Sequence, residues 1–175
     1  MQKITAKLSI RLFLLFIYAR AYFVIDEIRE KCILTGFKIS QQLYDLFLPP
    51  SQVEIDLDVL ITYPVDSLGY QYALFMKKNN FKPIPGHETH DFYHIIYGFD
   101  SGVIEEFKLQ FYLYGAGKRS AYNYLTMLVA LFSYPFSGQI FKQSIQKGKR
   151  FQVLSLKKIL ANLDQPISKL SIYKN

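Results

Sequence analysis

Along this chain apolar residues recur at three- and four-residue spacing, and the strict alternation of a half-buried strand is scarce. The pattern predicts an all-α protein, a single helical domain over residues 1–175. A long first helix is expected over Ile4–Leu34, within an N-terminal segment 1–35, ended by Gly36. A short helix over Ser40–Phe47 is stopped by Pro49 and Pro50. Ser51 reads as the cap of a helix reaching Thr62, and Asp66 or Ser67 as the cap of one reaching Lys78. Asn79, Asn80 and the stretch Lys82-Pro83-Ile84-Pro85-Gly86 form a loop.

Thr89 is the expected cap of the next helix, which runs to Tyr97 and ends at Gly98. After the turn at Asp100, Ser101 and Gly102, a helix covers Val103–Tyr114 and is ended by Gly115 and Gly117. Ser120 caps a very apolar helix over Ala121–Tyr134, Pro135 interrupts, and an amphipathic helix continues to Lys147. Beyond Gly148 the chain is extended near Phe151–Leu154, and short helices at Leu156–Leu163 and Pro166–Leu170 close it. There is no internal repeat and no low-complexity stretch.

Composition narrows this picture. The 175 residues are enough for one real core. Half are apolar and 17% aromatic, all Phe and Tyr without Trp, which excludes a disordered chain. The aromatic surplus suits a plain core, a greasy cavity or a membrane-facing surface. The net charge of +7 comes from clusters such as Lys77-Lys78, Lys118-Arg119 and Lys157-Lys158. It fits solvated helix faces first, an anionic membrane surface second, and nucleic acid last, because no nucleic-acid-binding signature accompanies it. Cys32 is the sole cysteine, so no disulfide can close within the chain, and it is expected to be an inert core residue. The apolar run Leu12–Ala19, bracketed by Arg11 and Arg20, is too short to span a bilayer, and no cleavage site follows it. Lys3, Lys7 and Arg11 share a helix face that could lie on a membrane.

The candidate chemistry sits in one segment. All three histidines, His87, His90 and His94, fall within eight residues. At about 3.6 residues per turn His90 and His94 stack on one helix face, with Asp91 adjacent. Eleven residues separate His94 from Glu106, and the Gly98–Gly102 turn lets the next helix fold back and bring Glu106 level. Two imidazoles and two carboxylates, His90, Asp91, His94 and Glu106, suit one divalent ion: zinc first, iron(II) or manganese next. So oxygen-rich a set is seldom a purely structural staple. The zinc-peptidase pattern needs Glu directly after the first His; Asp91 stands there, which rules that chemistry out.

The run Thr89-His90-Asp91-Phe92-Tyr93-His94, followed by Gly98 and Glu106, resembles the signature of the coenzyme Q (ubiquinone) biosynthesis protein 4 family. Tyr63-Pro64, Ser67-Leu68-Gly69, Tyr72-Ala73 and Asn80-Phe81 before it, and Gln146–Lys149 and Gln165-Pro166-Ile167 after it, extend the likeness over about 45–172. The chain departs from the family at Tyr97, where Thr is usual, and at Asp100 and Gly102, which are displaced; Glu105 stands beside Glu106. His87 lies outside the motif and reads as a loop residue. The resemblance implies a helical bundle with an apolar cavity that accepts a lipid. It implies a divalent metal on His90, Asp91, His94 and Glu106, and a prenylated aromatic or isoprenoid ligand. The implied role is that of a lyase assisting decarboxylation and hydroxylation of a polyprenyl hydroxybenzoate ring. The alternative is a non-catalytic scaffold for quinone-biosynthesis enzymes. Implied partners are a second copy in a homodimer, other quinone-biosynthesis proteins and a membrane surface. The expected location is cytoplasmic, peripheral to the inner membrane, without nucleic acid.

Overall fold

The computed structural model describes Arg20, residues 24–36 and residues 53–170. The chain divides into two compact units, residues 1–44 and 45–175. In the first unit, residues 24–36 form a helix, α1. The rest of the expected first helix, its basic face and the helix over Ser40–Phe47 lie outside the described residues. Cys32 is exposed, which corrects its expected place in a core; the buried side chain of this segment is its neighbour Ile33.

In the second unit the described residues form helices joined by loops, and no strand occurs among them. A lone antiparallel bridge joins Ser67 to Pro166. The helices are α2 (Leu57–Leu60), α3 (Leu68–Lys78), α4 (Glu88–Tyr97), α5 (Val103–Ala116), α6 (Ala121–Ser133), α7 (Gly138–Gly148) and α8 (Leu156–Leu160). Single 3-10 turns occupy Pro135–Ser137 and Ile167–Lys169.

Local chemistry explains the boundaries. The Ser67 hydroxyl accepts the Tyr70 amide at 3.2 Å and starts α3, and the Ser120 hydroxyl accepts the Asn123 amide at 3.1 Å and starts α6. Two expected starts are corrected. The α2 cap is Asp56, whose carboxylate accepts the amides of Asp58 and Val59, so the helix begins well after Ser51. Helix α4 begins before Thr89, because the Glu88 carboxylate reaches back to the Gly86 amide at 3.0 Å and fixes the turn there. Gly98 and Gly117 end α4 and α5 in the left-handed region, at φ 72° and 109°.

Helix α5 is the axle of this unit. Val103, Phe107, Leu109, Phe111, Leu113 and Ala116 bury themselves on several of its sides, and it packs against α4, α6 and α7. Helix α3 lays Leu68, Tyr72, Ala73 and Met76 on α4, where the Tyr72 and Phe92 rings stack at 4.1 Å. Leu154, just before α8, and Ile159 within it complete the core. Each such side chain contributes about 1.5–3 kcal/mol by leaving water. Among the described residues no single helix is long and apolar enough to cross a membrane.

Ser67 is fully buried and holds both the α3 amide and, through its own N–H, the Pro64 carbonyl at 2.8 Å. Ser67→Ala is expected to cost about 1–2 kcal/mol, since it strands a helix amide in a dry site. Urea denaturation at constant slope would show it; an unchanged midpoint would mean that the cap contributes nothing.

Candidate metal centre

Two helices and the turn between them build the site. His90 and His94 lie one turn apart on α4, and Glu106 lies in the first turn of α5. Residues Gly98–Gly102 reverse the chain, so the start of α5 returns alongside the histidines. The donor atoms of His90, His94 and Glu106 all lie within 4.8 Å of one another. His90 Nε2 is 3.0 Å from Glu106 Oε2, His94 Nε2 is 3.2 Å from the same oxygen, and the two Nε2 atoms are 3.3 Å apart.

The surroundings orient these donors. His94 Nδ1 lies 3.0 Å from the Asp100 carbonyl oxygen. A carbonyl can only accept, so Nδ1 carries the proton and Nε2 is left to face Glu106. This is the arrangement that holds a metal-binding histidine in place. The Phe75 ring stacks on the His94 imidazole at 5.6 Å. On the other side, Glu106 Oε1 accepts from Gln110 Nε2 at 3.0 Å, and Gln110 Oε1 accepts from Asn123 Nδ2 at 2.9 Å. Asn123 Nδ2 also donates to the Gln110 carbonyl at 2.8 Å, which ties α6 to the carboxylate through a fully buried pair.

Burial and mutual charge set the electrostatics. Burial would raise the Glu106 pKa, but His90 and His94 hold it well below the ordinary carboxylate value. Burial opposes charge on His90, yet Glu106 and Asp91 together raise its pKa. Burial also pushes the Lys118 ammonium down, with Glu106 opposing, and Lys118 Nζ sits 5.1 Å from the centre of the Tyr93 ring. The site is therefore a half-buried cluster of opposed charges beside a cationic side chain.

Of the four ligands expected from the sequence, His90, His94 and Glu106 converge. Asp91 lies outside that trio, although its carboxyl feels all three of its members. Glu105 points elsewhere and pairs with Lys108. His87 occupies the N-cap position of α4 without a side-chain cap hydrogen bond and lies outside the trio. Sequence reading missed Gln110 and Asn123, whose signal was available: each is a lone amide in an otherwise apolar helix stretch, and Gln110 is one turn beyond Glu106.

The three facing atoms sit within 3.3 Å of one another, so either a proton on His90 Nε2 or a shared cation must lie among them. A tetrahedral zinc ion with bonds of about 2.0–2.1 Å separates its donors by roughly 3.3–3.4 Å, so the observed spacings fit an ion with little movement. Two imidazoles and a carboxylate also match the three-ligand set of sites that keep a position open.

Asp91 yields a separate test. Burial raises its pKa from 3.8 to about 6, partly offset by His90 and His94. The folded protein therefore keeps that proton where the unfolded chain has lost it, and stability falls as pH rises through this window. Above it, the ionised carboxylate costs the metal-free protein on the order of 2 kcal/mol, discounted for its partial exposure. Asp91→Asn should raise the melting temperature of chelator-treated protein at neutral pH, with the gain fading in acid. If zinc affinity falls as well, Asp91 is the fourth ligand; unaltered melting at every pH would contradict the assigned ionisation.

No protein-family model matches the chain, and no curated protein does. Among solved structures it is similar to a Nostoc punctiforme protein provisionally described as a ubiquinone biosynthesis protein, at a TM-score of 0.52 and 20% identity. The match covers 82% of this chain and 77% of that one, and at this identity it establishes a shared helical fold.

Proposed function

We propose that this protein binds one divalent metal ion, zinc by the character of its donors, and acts on a prenylated aromatic acid in ubiquinone biosynthesis. The observation that carries this reading is the meeting of His90, His94 and Glu106 at mutual distances of 3.0–3.3 Å. The fold shared with the Nostoc protein supports the pathway, and the motif around His90 supports the same assignment.

Bound there, a divalent ion supplies a charge that can hold a ring carboxylate or phenolate. The chain's own groups do the rest. His94 is kept in one tautomer by the Asp100 carbonyl, and Glu106 is kept ionised by its imidazole neighbours. Phe75 packs its ring on the His94 imidazole, and Lys118 offers a second cation for an acidic substituent. The matching reaction is loss of the ring carboxylate. The carbon–carbon bond breaks, carbon dioxide leaves, and the electron pair left on the ring is taken up by a proton.

A second reading has the ion clasping α4 to α5 in a lipid-binding scaffold without turnover. It is favoured by the fact that all three donors come from two helices joined by one short turn. Purified protein should carry about one equivalent of metal per chain by elemental analysis, and mass spectrometry of its extract should show a polyprenyl aromatic lipid. Protein free of both would defeat the proposal. Glu106→Gln then divides the two readings: catalysis loses turnover with the fold and partner binding intact, whereas a scaffold loses partner binding.

A further inference from the structure

The longest uncharged stretch of the described chain is also its most exposed apolar surface. Residues 120–141 contain no Asp, Glu, Lys or Arg. Within them Leu125, Leu128, Leu131 and Phe132 of α6 face solvent, and Phe136 in the following 3-10 turn is 100% exposed. Helix α6 buries only Asn123, Thr126 and Ala130 among its thirteen residues. That is the reverse of a soluble amphipathic helix, whose apolar stripe is the hidden one. A free apolar face of this extent marks a docking surface.

Charge identifies what docks there. Between Glu106 and Asp164 the chain has no acidic residue, but it carries Lys108, Lys118, Arg119, Lys142, Lys147, Lys149, Arg150, Lys157 and Lys158. Arg119 precedes the uncharged stretch, and Lys142 directly follows it. Helix α6 and the segment from Pro135 to Gly148 meet at 109°, so Phe132 and Phe136 stand at a bend and not in the middle of a rod. An apolar corner flanked by cations on both sides matches a bilayer with an anionic surface. The apolar side chains enter the acyl boundary while the Lys and Arg heads stay with the phosphates. A second copy seated symmetrically on this face would bring the two sets of cations together, which disfavours that occupant.

We infer that the corner formed by α6 and the Pro135–Ser137 turn is a membrane-docking element, seated in the interface of an anionic lipid bilayer through Leu128, Phe132 and Phe136. It does not depend on the metal centre, whose residues it does not use, so either conclusion can fail without the other. Such docking would place the α4–α5 site beside the layer in which a prenylated substrate dissolves.

The test is sedimentation of the full chain with vesicles of phosphatidylcholine and phosphatidylglycerol, against vesicles of phosphatidylcholine alone. Wild type should pellet with the anionic vesicles and be released by salt. The double variant F132S/F136S removes only exposed side chains, and should bind at least ~10-fold more weakly with zinc content unchanged. In a separate variant, Phe136→Trp fluorescence should shift to the blue when anionic vesicles are added. The inference is overturned if wild type stays in the supernatant, or if F132S/F136S binds as wild type does. It is overturned equally if that variant instead loses a dimer seen by light scattering, or loses stability because another segment of this chain covers the face.

Discussion

Gly148→Ala is expected to destabilise the fold by about 3 kcal/mol or more, the upper end of what a forced extra carbon costs in a packed interior. At Gly148 of α7, an added Cβ would lie 2.0 Å from the Tyr112 carbonyl oxygen and 3.0 Å from the Ala116 amide. Both are main-chain atoms of α5, which cannot turn aside as a side chain can. Gly115 repeats the arrangement from the other helix, with the Ile145 carbonyl oxygen 2.2 Å from its Cβ position. The two helices touch backbone to backbone at these points, so either alanine must push them apart. Glycine inside a helix costs roughly 1 kcal/mol relative to alanine, and this close approach offsets that cost. For a chain of this size the loss corresponds to a fall in melting temperature of about 6–12 °C. Gly98 and Gly117 provide the contrast. They have positive φ but no atom within 4 Å of a Cβ, so alanine there should cost only about 1 kcal/mol of backbone strain. Thermal unfolding of the four alanine variants ranks them. Gly115 and Gly148 variants that melt with the Gly98 and Gly117 variants would show that α5 and α7 do not meet so closely.

The same glycines show where reading along the chain stops. From sequence, Gly115 looks like a stop signal because glycine so often follows a helix. Whether it ends a helix or admits a neighbour depends on what lies opposite, and that is a tertiary fact. Ser67, Ser120, Gly98 and Pro135 were legible because each acts on its own backbone within a few residues. Thr89 failed as a cap because Glu88 competes for the same turn by bonding back to Gly86. At the site, the i, i+4 spacing of His90 and His94 follows from helix geometry alone, and the two-glycine turn brings Glu106 to them. Asp91 is harder to read. Its place beside His90 sets it about 100° round the helix, so its access to a shared ion depends on local rotamers and not on spacing. The exposed face of α6 was hidden for a different reason. An apolar helix reads the same whether protein or lipid covers it, and the aromatic excess was consistent with both.

Glu106→Gln should abolish tight metal binding while keeping the fold, with affinity lowered by about 100-fold or more. The amide keeps the shape of the carboxylate and can still take part in the contact with Gln110, but it no longer offers a negative oxygen 3.0 Å from His90 and 3.2 Å from His94. His94→Ala removes a donor too, yet it also strips the partner from the Asp100 carbonyl and the stack from Phe75, so its effect on stability mixes with its effect on the metal. The glutamine variant is therefore the cleaner probe. Metal present at about a thousand times its dissociation constant stabilises the native state by roughly 4 kcal/mol, so a chelator should lower the wild-type melting temperature by about 8–16 °C. In Glu106→Gln the same chelator should change almost nothing, because there is little bound metal to remove. Acid should mimic the chelator in wild type, since protons compete for both imidazoles and the carboxylate. Equal chelator responses in the two proteins, or a wild type that takes up no zinc in a calorimetric titration, would mean that protons alone hold His90, His94 and Glu106 together. The carboxylate would then be no more than one half of a buried ion pair, and such a pair tends to cost about as much in lost hydration as it returns in attraction. A cation shared by all three, by contrast, gives each of the two imidazoles and the carboxylate a partner.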